Sequence, residues 1–165
     1  MRSLACPLLV LTLTVSLGGC RQADGPVPTP NQTYQEELID VARDLQNVAN
    51  GRDPNGPTDL ADDLRKYTDK PAARALVDEL SARTVKAISG RELAEQDAQR
   101  LAHNLWVSVY AKDLSERQIE TLQSDMQAHL ISLGVGEDVA QQVTTQVGEV
   151  QSSVTLRPRR WYELF

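Results

Sequence analysis

Cysteine is almost missing from this chain. Its 165 residues include only Cys6 and Cys20, far too few for the disulfide framework that holds many small secreted domains together. Aromatic residues are nearly as scarce, with two tryptophans, four tyrosines and one phenylalanine. The core must therefore be built from Leu, Val, Ala and Ile. That mixture suits closely packed helices better than a β-sandwich, which draws on aromatic and β-branched residues throughout. Basic residues are outnumbered 17 to 23. Neutralising a phosphate backbone needs a basic face, so nucleic acid is excluded as a partner, as is broad electrostatic adsorption to anionic lipid. The sequence has no HExxH, no glycine-rich phosphate loop and no GxSxG elbow. The acidic pairs Glu36-Glu37 and Asp62-Asp63 are adjacent, so they diverge on a helix and read as solvated faces. The chain is expected to be no enzyme and to carry no cofactor.

What is present begins at the N-terminus. Arg2 precedes an apolar run over residues 7–17, which ends at the small pair Gly18-Gly19 and then Cys20. These are the three parts of a secretory signal, and the run falls short of the ~20 residues a membrane-spanning helix needs. Leu17-Gly18-Gly19-Cys20 resembles the lipobox of bacterial lipoproteins. The resemblance implies that residues 1–19 are removed and that Cys20 becomes an acylated N-terminus, palmitate-bearing and held in the lipid bilayer. Each buried methylene contributes about 0.8 kcal/mol, so the two or three chains usual in that family would make attachment permanent. Arg21 stands where the inner-membrane retention signal of the family has Asp. The implied location is the cell envelope, at the outer membrane facing the periplasm in a Gram-negative cell. Removing residues 1–19 takes away Arg2 and lowers the net charge from −6 to −7. Residues 20–32 then form a tether. Pro26, Pro28 and Pro30 hold it extended at about 3.1 Å per residue, a reach of up to roughly 35 Å.

Residues 33–156 read as one all-α domain, a compact bundle of five or six helices. Leu38, Val41, Ala42, Leu45 and Val48 fall at helical spacing over residues 34–49, with Thr33 and Glu36 as a capping box. Residues 50–57 are rich in Gly and Pro and interrupt the pattern. A short helix is expected over residues 59–67 and a longer one over 71–89, with Pro71 tolerated in the first turn. A 21-residue spacing follows. Leu93, Leu114 and Val135 each precede a helix start, and Glu95, Glu116 and Glu137 share one offset, as do Ala98, Ile119 and Ala140. The middle copy supplies the logic: Ser115 and Gln118 form a capping box, with Leu114 and Ile119 as a hydrophobic staple across it. A helix of about 17 residues plus a short turn produces this period; a stacked repeat is the other reading. The segment from Leu101 to Ala111 is apolar on most sides, as expected of a central helix. The last segment is rich in β-branched residues and contains Gly148, leaving strand open late in it, although its spacing favours helix.

Two groups of residues are candidates for binding. The C-terminal tail, residues 157–165, concentrates Arg157, Arg159, Arg160, Trp161, Tyr162 and Phe165 in an otherwise acidic, aromatic-poor chain. Arg and Trp dominate binding hot spots, so the tail either docks on another envelope protein or folds back into a groove of its own domain. The second group is Trp106, Tyr110, Met126 and His129, which could surround a small-ligand or metal cavity among the last three helices. His103 and His129 are the only imidazoles. Asp125, four residues before His129, shares its helical face and is the expected orienting carboxylate. The function these readings favour is a membrane-anchored, non-catalytic envelope lipoprotein that binds or helps assemble a protein partner; the alternative is a ligand or metal carrier. The plan is similar in architecture alone to small helical lipoproteins such as secretin pilotins.

Overall fold

The computed structural model describes residues 35–66, 71–111 and 114–155, and every regular element among them is helical. There are six: α1 (Gln35–Ala49), α2 (Gly56–Arg65), α3 (Pro71–Ile88), α4 (Glu95–Tyr110), α5 (Glu116–Ser132) and α6 (Glu137–Thr155). They form a helical bundle, and none of them is long and apolar enough to cross a membrane. The signal segment, Cys20, the tether and the tail from residue 156 lie outside the described residues.

The apolar stripes of the sequence explain which faces meet. On α1, Val41, Ala42, Leu45 and Val48 are buried, and this helix packs against α2, α3 and α4. On α4, Ala98, Leu101, Ala102, Leu105, Val107 and Val109 are all buried. Its second half, apolar on most sides, places it centrally, and the helix contacts α1, α2, α5 and α6. Burying a leucine side chain contributes about 1.5–3 kcal/mol, and the fully enclosed Leu45, Leu60, Leu64, Leu80, Leu101 and Leu105 mark the centre of that core.

The 21-residue spacing becomes a shared burial register. Helices α4, α5 and α6 begin at Glu95, Glu116 and Glu137. Each is preceded by a buried apolar residue: Leu93, Leu114 or Val135. Inside them, Leu101, Leu122 and Val143 are buried, and so are Leu105, Met126 and Val147. The caps differ. Ser115 and Gln118 form both reciprocal hydrogen bonds of a capping box, whereas Ala94, at the same place before α4, makes no side-chain cap. α5 ends where Gly134 takes a left-handed φ of 79°. There the N–H of Val135 reaches back to the carbonyl of Leu130 at 3.0 Å, and that of Gly134 to Ile131 at 2.9 Å.

Two local differences from the sequence expectation have clear causes. α2 starts at Gly56, three residues earlier than periodicity suggests, because Pro57 is accommodated in the first turn. α6 remains helical to Thr155; Gly148 marks a close approach, since a Cβ there would lie 2.7 Å from the Gln123 amide nitrogen.

Hydrogen bonds at the helix ends define the topology. At one pole the C-termini of α1, α3 and α5 meet. The N–H of Gly90 donates to the Ala49 carbonyl at 3.0 Å, while Arg91 donates to Ala87 O at 2.9 Å and Leu133 O at 3.1 Å. At the opposite pole the C-termini of α2, α4 and α6 meet. The Tyr110 hydroxyl donates toward the carbonyls of Leu64 (2.8 Å) and Asp63 (3.1 Å). The Gln151 amide donates to Ser108 O at 2.7 Å and lies within 3.3 Å of Val107 O and Ala111 O. These contacts satisfy terminal carbonyls that a helix cannot satisfy itself. They also leave the start of α1 and the end of α6 at the same pole.

Candidate functional site

The first two turns of α1, the end of α2 and the last two turns of α4 enclose an open cleft at that shared pole. It is lined by Glu37, Asp40, Val41, Asp63, Lys66, Trp106 and Tyr110 and encloses about 280 Å³, including solvent at its mouth. The rings of Trp106 and Tyr110 stack at a tilt, with centroids 5.1 Å apart. Spacing of four residues on α4 puts both on one face. The hydrogen bonds from Tyr110 to the end of α2 then fix the pair beside Asp63. Lys66 reaches across to Glu37 at 3.1 Å, joining α2 to α1.

The electrostatics of the cleft are dominated by carboxylates. Glu37, Asp40 and Asp44 recur at helical spacing on α1, while Asp59 and Asp63 face them from α2. Burial pushes Asp44 up to about 6, reinforced by the charges of Asp63, Asp59 and Asp40 and only partly offset by Arg43. Burial likewise raises Asp63, with Lys66 opposing and Asp40, Glu37 and Asp59 adding to the rise. Crowded carboxylates of this kind stabilise a cation placed among them. The aromatic pair adds faces on which a guanidinium or ammonium group can rest.

The four residues expected to share a cavity fall into two environments. Trp106 and Tyr110 line the cleft. Met126 and His129 are buried within α5 at 0% and 2% exposure and do not line it. His129 Nε2 is 3.2 Å from the Asp97 carboxylate of α4. That pairing replaces the expected one with Asp125, which is exposed on α5. Periodicity along one helix points to Asp125; only the packing of α5 on α4 reveals Asp97. His103 is half-buried and its pKa is lowered by that burial. No group of three or more His, Cys, Asp or Glu side chains suited to holding a metal occurs among the described residues. Arg157, Arg159, Arg160, Trp161, Tyr162 and Phe165 lie outside those residues, as does Cys20.

Glu37 and Asp63, which their sequence pattern assigns to solvated faces, are half-buried and line the cleft, while only their neighbours Glu36 and Asp62 are exposed. The signal for this acidic wall was available: Glu37, Asp40 and Asp44 repeat at helical spacing along the edge of the α1 apolar stripe, beside Val41 and Val48. What periodicity lacks is the partner. That Trp106 and Tyr110 meet these carboxylates depends on α1 packing against α4. No protein-family pattern, curated protein or solved structure matches this chain.

Proposed function

We propose that this chain is a lipid-anchored, non-catalytic binding module of a bacterial cell envelope. Cys20 would be the acylated attachment point, at the outer membrane facing the periplasm in a Gram-negative cell. The cleft of α1, α2 and α4 is its surface for an envelope protein. The observation that carries this reading is the aromatic pair Trp106–Tyr110 set among Glu37, Asp40 and Asp63. Aromatic residues supply much of the energy at protein interfaces, and the surrounding carboxylates select for positive charge. The cleft is open to solvent and too shallow to enclose a small molecule as a dedicated ligand cavity does. It matches the end of one long basic side chain, presented by a partner and packed against the rings. Carboxylates at the rim also accelerate encounter with a basic partner by electrostatic steering, an effect that weakens with salt.

The test is affinity capture from solubilised envelope with the full lipidated protein, beside a variant carrying Asp40→Lys and Asp63→Lys. A stoichiometric protein retained by the native chain and lost from the variant supports the reading. Equal capture by both, or recovery of the unprocessed leader with a free Cys20 thiol by mass spectrometry, overturns it.

A further inference from the structure

The pole that carries the cleft is also the pole where α6 ends, and the residues that follow are the most basic and aromatic in the chain. Gln151 ties the last turns of α6 to the Ser108 and Ala111 carbonyls. Thr155 is therefore about one helical turn, roughly 6 Å, beyond a point adjoining Tyr110. The ten residues from 156 to 165 can extend about 33 Å, about three times the 8–10 Å spacing of packed helices, and α6 packs on α4, which carries the cleft's aromatic wall. Length and starting point both permit contact.

Charge favours it. Among the described residues, Asp40, Asp44, Asp59 and Asp63 crowd this pole, with Arg43 and Lys66 as the cations that act on Asp44 and Asp63. The C-termini of α2, α4 and α6 add the negative ends of three helix dipoles at the same pole. The tail brings Arg157, Arg159 and Arg160 within four residues, then Trp161 and Tyr162, with Glu163 as its one acidic side chain. Arginine is the side chain best suited to the site, because its planar head pairs with a carboxylate and stacks on an aromatic face at the same time. We infer that the tail docks in its own domain's α1–α2–α4 cleft, with an arginine between the Trp106–Tyr110 rings and the Asp40 and Asp63 carboxylates.

This inference rests on the same cleft as the proposed function and adds its regulation: the tail occupies the site until a stronger basic ligand displaces it. Such a tethered ligand has a high effective concentration, so even a weak intrinsic contact keeps the cleft filled. Displacement rather than simple exposure would then govern when the module binds.

The experiment uses the full mature chain in detergent micelles and the two tryptophan indole N–H signals in its nitrogen-15 spectrum. In the native chain the Trp161 signal is expected away from its random-coil position. Replacing Arg157→Glu, Arg159→Glu and Arg160→Glu should return it there and shift the Trp106 signal as well. Asp40→Lys with Asp63→Lys should release Trp161 in the same way, and combining both sets should restore the contact by exchanging the charges. A synthetic peptide of residues 156–165, added to the tail-reversed chain, should move Trp106 back. Its affinity should fall about tenfold between low and high salt, as screened charges require. Circular dichroism confirms that each variant remains folded, and the peptide titration tests the contact without altering the domain. A Trp161 signal at its random-coil position in the native chain, or a Trp106 signal indifferent to both tail reversal and peptide, overturns the inference. So does a Trp161 signal that moves only when phosphatidylethanolamine–phosphatidylglycerol vesicles are added, which would assign the tail to lipid. Any of these results leaves partner capture standing, whereas loss of capture with the tail contact intact would fault the proposed function alone.

Discussion

Replacing Gln151 with leucine tests how the bundle closes its cleft-bearing pole. The native amide sits at 0% exposure and donates to Ser108 O at 2.7 Å, with Val107 O and Ala111 O at 3.2 and 3.3 Å. Val107 O has a second partner in the Ala111 N–H at 3.1 Å, so its loss is small. Ser108 and Ala111 present carbonyls at and beyond the end of α4, where the helix supplies no donor. Leaving a buried acceptor unmade costs about 1–3 kcal/mol. Leucine fills similar space and returns part of that through apolar burial, so the net loss expected for Gln151→Leu is about 2 kcal/mol. A domain of this size should melt about 6–10 °C lower. Gln146→Leu is the control. Its amide is also buried, but it donates at 3.3 Å to Leu76 O, a carbonyl inside α3 where the helix provides an N–H of its own. It should lose less than about 1 kcal/mol. Thermal and urea unfolding followed at 222 nm measure both. A Gln151→Leu variant as stable as the native chain, or a Gln146→Leu variant that loses more, would refute the terminal-carbonyl argument.

Other expectations concern separate parts of the fold. Gly56→Ala should destabilise by about 1–3 kcal/mol in urea unfolding, because the added Cβ would lie 2.9 Å from the branched Val48 methyl, which has nowhere flexible to move. Ser115→Ala should cost about 1 kcal/mol by removing the acceptor for the Gln118 N–H. Asp44 is pushed up to about 6 when folded, from 3.8, so the folded chain holds a proton in that interval that the unfolded chain has released. Its contribution to stability therefore falls as pH rises from about 4 to 6, with the full cost present above 6. Asp44→Asn should flatten that slope and add about 1 kcal/mol at neutral pH, allowing for solvent screening of a partly exposed group. Paired unfolding curves at pH 4.5 and 7.5 measure it, and an unchanged difference between the two pH values would count against the crowded-carboxylate account.

The helices were legible because local rules and packing agree along most of the chain. Ser115 and Gln118 announce α5 by chemistry that needs no tertiary context, and the apolar stripe of α1 finds its core as periodicity requires. The 21-residue register even fixes which positions of α4, α5 and α6 turn inward. Gln151 shows where that logic stops. It occupies the register position of Val109 and Leu130, both buried, and an apolar residue would be expected there. A glutamine stands in its place because the carbonyls it meets belong to another helix 40 residues or more away in sequence. Gln46 and Gln123 behave alike, donating to Leu93 O and Thr144 O on neighbouring segments. Such contacts depend on interhelix register, which hydrophobic periodicity leaves undetermined. The same gap explains the site. Trp106 and Tyr110 are recognisable as candidates from their type and spacing, while their acidic neighbours and the separation from Met126 and His129 follow from how α4 sits between α1 and α5.

Because the chain comes into the bundle and departs from it at one pole, any mechanical load has an unusual path. A pull applied between the start of α1 and the end of α6 would peel α1 from α2 and α4, and α6 from α3 and α5, beginning at the same side. Force applied in that way opens contacts one after another, as a zipper opens, instead of sliding long interfaces past each other all at once. The domain would then yield at modest tension, and stretching single molecules by these two ends should reveal a low unfolding force.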